Sequence, residues 1–134
     1  MDVKKLFEIL LRIAYRLNLI ADYVIERGAS GNWTWEKWNS GLCVAELKTG
    51  IQGVAITTAY GNMWRSQSYS YSLPSGLFKT VKTPHLDIVG DGVTGATTAL
   101  NTSRVAAHLL CPFAHTFATN SVCFWTITVE GSWK

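Results

Sequence analysis

Charge, cysteine and proline are all scarce in this chain of 134 residues. Only 16% of the residues are charged, 48% are hydrophobic, and the net charge is a slight +3. So weak a positive balance, with no Lys/Arg cluster along any face beyond the leading segment, argues against nucleic acid as a partner. No run of 18 apolar residues occurs, so no helical membrane span is expected. Lys4 and Lys5 precede apolar residues as in a signal peptide, but Glu8, Arg12 and Arg16 interrupt the apolar core that such a leader needs. Those basic residues also share their face with Asp2, Glu8, Asp22 and Glu26, unlike a helix that lies on a membrane surface. Three cysteines, Cys43, Cys111 and Cys123, make an odd count without an export signal, so buried reduced thiols are expected and no disulfide framework. Catalytic signatures are missing as well: there is no G-x-S-x-G elbow, no phosphate-cradling Gly loop and no HExxH. Five carboxylates lie beyond residue 27: Glu36, Glu46, Asp87, Asp91 and Glu130. Glu36 and Glu46 could face each other across a first hairpin as a glycosidase pair does, but surface salt links with Lys37 or Lys48 are the simpler account. The chain reads as a non-enzyme, with no cofactor expected.

What the chain does have begins with residues 3 to 24. Val3, Leu6, Leu10, Ile13, Leu17, Ile20 and Val24 recur at alternating intervals of three and four, an unbroken heptad seam. An isolated helix of this length is marginal in water, because nucleation is costly and its apolar stripe stays wet. Leu at a with Ile at d turns coiled coils away from dimers toward trimers or tetramers. Phe7, Ile9, Ala14 and Ala21 widen the stripe, which also suits more than two strands. The competing reading is a terminal helix folded back on its own domain, for which the wide stripe is the best argument.

The composition changes at Gly28. Residues 1 to 27 hold nine of the 21 charges and no Gly, Pro, Ser or Thr, whereas all eleven Gly and all three Pro come later. Gly28 is suitably placed to end the helix. Beyond it, period-2 patterns and turn residues dominate. Strands are expected over Asn32–Trp38, Leu42–Leu47, Ile51–Tyr60, Ser68–Leu73, Phe78–Val81, Leu86–Val89, Arg104–Cys111 and Val122–Val129. Asn39-Ser40-Gly41, Lys48-Thr49-Gly50 and Gly61-Asn62 read as turns, and Asp91 to Thr102 as a Gly/Thr-rich loop. In the last strand Cys123, Trp125, Ile127 and Val129 share one face and Phe124 takes the other, a pattern expected centrally in a sheet or between subunits. The fold class is thus mainly β with an N-terminal α-helix. Residues 1–27 are expected as a parallel trimeric coiled coil and residues 28–134 as a β-sandwich or jelly-roll-like head.

The stretch Tyr23–Gly41, YVIERGASGNWTWEKWNSG, resembles a recurring segment of bacteriophage and prophage tail proteins. In that family a helix ends, a Gly-rich turn follows and a W-T-aromatic-x-K-W-x-S-G hairpin opens a small β-domain. Here the matching residues are Trp33, Thr34, Trp35, Lys37, Trp38, Ser40 and Gly41. The apolar Arg104–Pro112 segment, Val122–Val129 and the closing Gly131-Ser132-Trp133-Lys134 are also similar. One departure follows Gly41: the family commonly continues with an Ala-Glu-Cys-Trp-like run, whereas this chain has Cys43-Val44-Ala45-Glu46-Leu47, which leaves the register of the second strand open. The resemblance implies a homotrimeric tail-fibre or baseplate-type structural protein whose receptor-binding-like head touches the host surface. It further implies other tail components as partners, a place in the virion tail, and synthesis in the host cytoplasm. Two other functions fit the residues: a stand-alone carbohydrate-binding β module, and a fibre-associated glycan depolymerase.

Trp33, Trp35 and Trp38 could stack on sugars or pack the core and the helix–head junction, and core is the stronger reading. Trp64 falls in a polar stretch beside Tyr60, Tyr69 and Tyr71, with no apolar period to satisfy, and these four form the candidate saccharide contact. The segments 60–68 and 90–103 are the expected contact loops. His108, Cys111 and His115 have a spacing that suggests a metal. On a strand, however, His108 and Cys111 face opposite ways, so a satisfied core histidine is expected and no metal. Asp87 and Asp91 offer too few oxygens for calcium, and Asp91-Gly92 reads as a turn.

Overall fold

The computed structural model describes residues 2–90 and 92–134. One helix, α1 (Val3–Arg16), opens the chain, with the Asp2 carboxylate accepting the Lys4 amide as its N-cap. It stops well before the seam does. Asn18 adopts a left-handed backbone at φ 56, and the Leu19 amide reaches back to the Ala14 carbonyl while the Asn18 amide reaches Tyr15. This is the Schellman closure that a left-handed residue makes possible, and Asn is the non-glycine residue that tolerates it best. Only Val3, Leu6, Leu10 and Ile13 of the seam are therefore helical. Leu17 is the C-cap, Ile20 follows the helix, and Val24 starts the first strand.

That strand, β1 (Val24–Ser30), runs antiparallel to β2 (Trp33–Trp38) around Gly31. Gly28 consequently lies inside a strand, opposite Trp35, and not at a helix end. A Cβ there would collide with the Trp35 indole, so the glycine seats the ring. β2 pairs in turn with β3 (Leu42–Gln52).

β3 runs straight through Lys48-Thr49-Gly50, the expected turn. Its partner β13 (Val122–Ser132) stays in register from Val122 opposite Gln52 to Ser132 opposite Leu42, and this continuous ladder outweighs local turn chemistry. The chain turns at Gly53 instead, at φ +55, with its amide bonded to the Ser121 carbonyl. The expected 51–60 strand is accordingly split into β4 (Ala55–Ile56) and β5 (Thr58–Tyr60).

β5 pairs with β6 (Met63–Arg65), and β6 and β7 (Tyr69–Ser72) both pair with β11 (Arg104–Cys111). β8 (Thr80–Val81) and β9 (His85–Val89) share the other edge of β13, which makes β13 central in a six-stranded sheet. The expected Gly/Thr loop contains a strand, β10 (Thr94–Leu100), on the remaining edge of β11. Gly95 is what lets it pass: a Cβ there would meet Ile88 and the His108 carbonyl. β12 (His115–Thr116) closes a small ladder with β4.

The core lies between the six-stranded sheet and the five-stranded sheet built on β11. Cys43, Ala45 and Leu47 of β3, Val105, Ala107, Leu109 and Cys111 of β11, and Cys123, Trp125, Ile127 and Val129 of β13 fill it. All three cysteines are buried and reduced. None of α1 is buried. Val3 is 83% exposed, Leu10 54% and Leu17 63%, so the helix does not fold its stripe onto its own sheets. Among the described residues no helix is long and apolar enough to cross a membrane.

Candidate functional site

Alternation in β2 sends Trp33 and Trp35 to the core face and Trp38 to the other. Trp33 is buried, and Trp35 lies over Gly28 with its indole N–H 3.5 Å from the Glu26 carboxylate. Trp38 offers its carbonyl to the Trp133 indole at 2.8 Å, tying the chain end to the first hairpin. Lys37 and Lys134 stand over the Trp133 ring at 5.7 and 5.2 Å. Trp33 is a core ring, whereas Trp35 and Trp38 are half-buried and the Trp38 indole nitrogen has no partner among the described residues.

The four residues singled out for saccharide contact fall on two faces of the smaller sheet. In the β5–β6 hairpin, Trp64 opposes Ala59 and Cys111 and packs against the core, so it lies on a strand and not in an exposed loop. Tyr69 and Tyr71 point the same way, each meeting the Trp125 ring edge-on at 5.8 Å. The Trp125 indole N–H donates to the Tyr71 hydroxyl at 3.1 Å. Burial holds that phenol above its ordinary pKa, so Tyr71 stays protonated.

Tyr60 faces the opposite way and is 53% exposed. Its ring leans edge-on against His108 at 5.4 Å, with the Arg65 guanidinium 6.0 Å above it. His108 is 5% exposed, yet its Nε2 has no hydrogen-bond partner. The expected satisfied histidine is therefore unsatisfied, and burial first, Arg65 second, holds its pKa below the usual value. Cys111 points into the core on the other face of β11. Among the described residues no three His, Cys, Asp or Glu side chains form a metal cluster.

Glu36, Glu46 and Asp87 stand against basic side chains. Glu36 pairs with Arg27 at 2.9 Å, Glu46 with Lys48 at 3.4 Å, and Lys37 turns to Glu26 at 3.4 Å. Glu36 thus finds Arg27, a partner the sequence alone does not single out. Asp87 lies 3.3 Å from His85, and Asp91 lies outside the described residues. Cys43 has its thiol pushed up to about 11 by burial, against the pull of Lys37. It is no nucleophile at neutral pH.

A feature that sequence reasoning misses is the seam between the tip of the first hairpin and β7, lined by serines, Asn32 and Tyr71. The alternation of Ser and Tyr over Ser68–Leu73 marks a strand, but nothing local says that one edge of it stays open.

No protein-family model and no curated protein matches the sequence. Among solved structures the chain is similar to an N-truncated R1-type pyocin tail fibre, with a TM-score of 0.54 and 13% identity over 89% of this chain and 94% of that one. It is similar to the same degree to a longer C-terminal fragment of the P. aeruginosa R1 pyocin fibre, of which it spans 31%. The head therefore has a tail-fibre-like β fold.

Proposed function

We propose that this chain is a homotrimeric tail structural protein of a phage or prophage-derived particle. In this reading α1 gathers three chains, and residues 28–134 form the head that meets a saccharide on the host surface. The observation that carries it is a 14-residue helix with its whole apolar stripe exposed, attached to a head of tail-fibre-like fold. Fully burying each such side chain contributes about 1.5–3 kcal/mol, far more than a lone helix can forgo. Three parallel helices satisfy all of them at once, and they raise the effective concentration for contacts between heads. Val3, Leu6, Leu10 and Ile13 on the helix and Leu17 at its C-cap are the assembling residues, and Ile20 and Val24 lie beyond the helix. Tyr60, beside Arg65, is the member of the aromatic set that offers an open ring to a partner.

Light scattering tests the assembly. A mass of about three times the 14.8 kDa chain is expected. A particle of one chain mass overturns the trimer and leaves a stand-alone carbohydrate-binding module.

A further inference from the structure

The seam between hairpin tip and β7 is a groove of about 490 Å³, within the size usual for small-ligand sites. One wall is the hairpin tip, Ser30 to Asn32 above the buried Trp33; the other is Ser70 to Ser72 of β7, and Ser75 lies at its end. Among the described residues no charged side chain lines it.

Among the described residues β7 pairs only with β11, and the Leu73 amide donates to the Ser103 carbonyl on that side. In an antiparallel strand the peptide groups two residues apart point the same way. Tyr71 and Tyr69 therefore bond toward β11, and Ser70 and Ser72 turn their amides and carbonyls to the open edge. Both serines are exposed and line the groove. Elsewhere on the head Ser66, Ser68 and Ser103 are engaged in side-chain hydrogen bonds. Among the described residues Ser30, Asn32, Ser70, Ser72 and Ser75 make none. Tyr71 supplies a rigid aromatic wall, since Trp125 holds both its ring and its hydroxyl.

Hydroxyls, an amide, a free backbone edge and an aromatic wall match a polyhydroxylated ring, which needs many short hydrogen bonds and an apolar face contact. A charged ligand would find no counter-ion in the groove and would lose hydration without return. A peptide adding a strand to β7 would gain few backbone bonds along a four-residue edge. We infer that this groove binds an uncharged saccharide; the inference rests on the saccharide-binding reading of the head and gives it an address.

The test is an array of neutral and acidic oligosaccharides probed with the intact chain, followed by calorimetric titration of the glycans captured. Neutral glycans are expected to bind. Ser72→Val and Ser75→Leu should each weaken them about tenfold, the worth of one or two hydrogen bonds. Both serines are exposed, and an unchanged thermal melt shows that the variants fold. Neutral glycans held equally by both serine variants but lost with Tyr60→Ala would overturn the groove and spare the saccharide reading. Preferential capture of acidic glycans would also overturn the groove. An array with no glycan captured removes both together, while the mass measurement still tests the trimer.

Discussion

At the scale of single residues, several side chains carry consequences that exposure alone does not show. Gly131 lies in β13 opposite both Val81 and Cys43. A Cβ there would run into the Thr80 carbonyl and come within 2.8 Å of Phe78 Cδ1. Backbone cannot yield as a side-chain tip can, so Gly131→Ala is expected to cost about 2–3 kcal/mol in urea unfolding; a change under about 0.5 kcal/mol would refute the close approach. The three thiols lie in the core, and Cys43 and Cys123 have pKa values raised by burial. A thiol reagent at pH 7.5 should label none of them in the native protein and all three in denaturant. Rapid native labelling would show an open core. His108 resists protonation when folded, whereas the unfolded chain takes up the proton at the ordinary 6.5. Its contribution to stability is therefore complete above that value and is lost as pH falls below it. The melting temperature should fall between pH 7 and 5, and less steeply in His108→Leu. Identical slopes would mean that the imidazole is free to charge in place.

Among the elements, the helix and β10 are where local pattern and final structure part. The heptad runs on through Leu17, Ile20 and Val24, but Asn18 in the left-handed region ends α1, and β2 recruits Val24 into a ladder. The spacing of apolar residues cannot distinguish these outcomes, because Ile20 and Val24 suit a helix face and a strand equally well. In the proposed trimer the assembling contacts therefore belong to the helical part. Leu10→Gln with Ile13→Gln should dissociate the oligomer and expose apolar surface that aggregates, whereas Ile20→Gln should have a much smaller effect. Sedimentation of the two proteins separates the cases, and equal loss of assembly would return the seam to its full length. In β10, Thr and Gly carry the signature of a loop. Only the open edge of β11 and the close passage that Gly95 permits turn them into a strand.

For the molecule as a whole, the exposed helix stripe is the surface that the proposed trimer covers. If three chains unfold as they separate, the melting temperature should rise with protein concentration. Melting curves that superimpose over a hundredfold dilution would describe a monomer that holds its head together unaided. Exposed apolar groups on the head itself, Phe124 and Val89 facing each other across β13 and β9, are further surface that neighbouring heads could cover.

The sequence pattern is by itself enough to identify Arg104–Cys111 and Val122–Val129 as strands, and in the second to say that Cys123, Trp125, Ile127 and Val129 share a face. A period of two leaves no other choice of face once one side is apolar. The same reasoning makes the cysteines core residues. Where strands begin and end, and which edges pair, is decided by tertiary structure. The hydrogen-bond partner of β3 is β13, and that of β7 is β11, segments far apart in the chain. Backbone groups take whichever partner the packing of the two sheets brings alongside. The groove beside β7 exists for the same reason: one edge found a partner and the other did not.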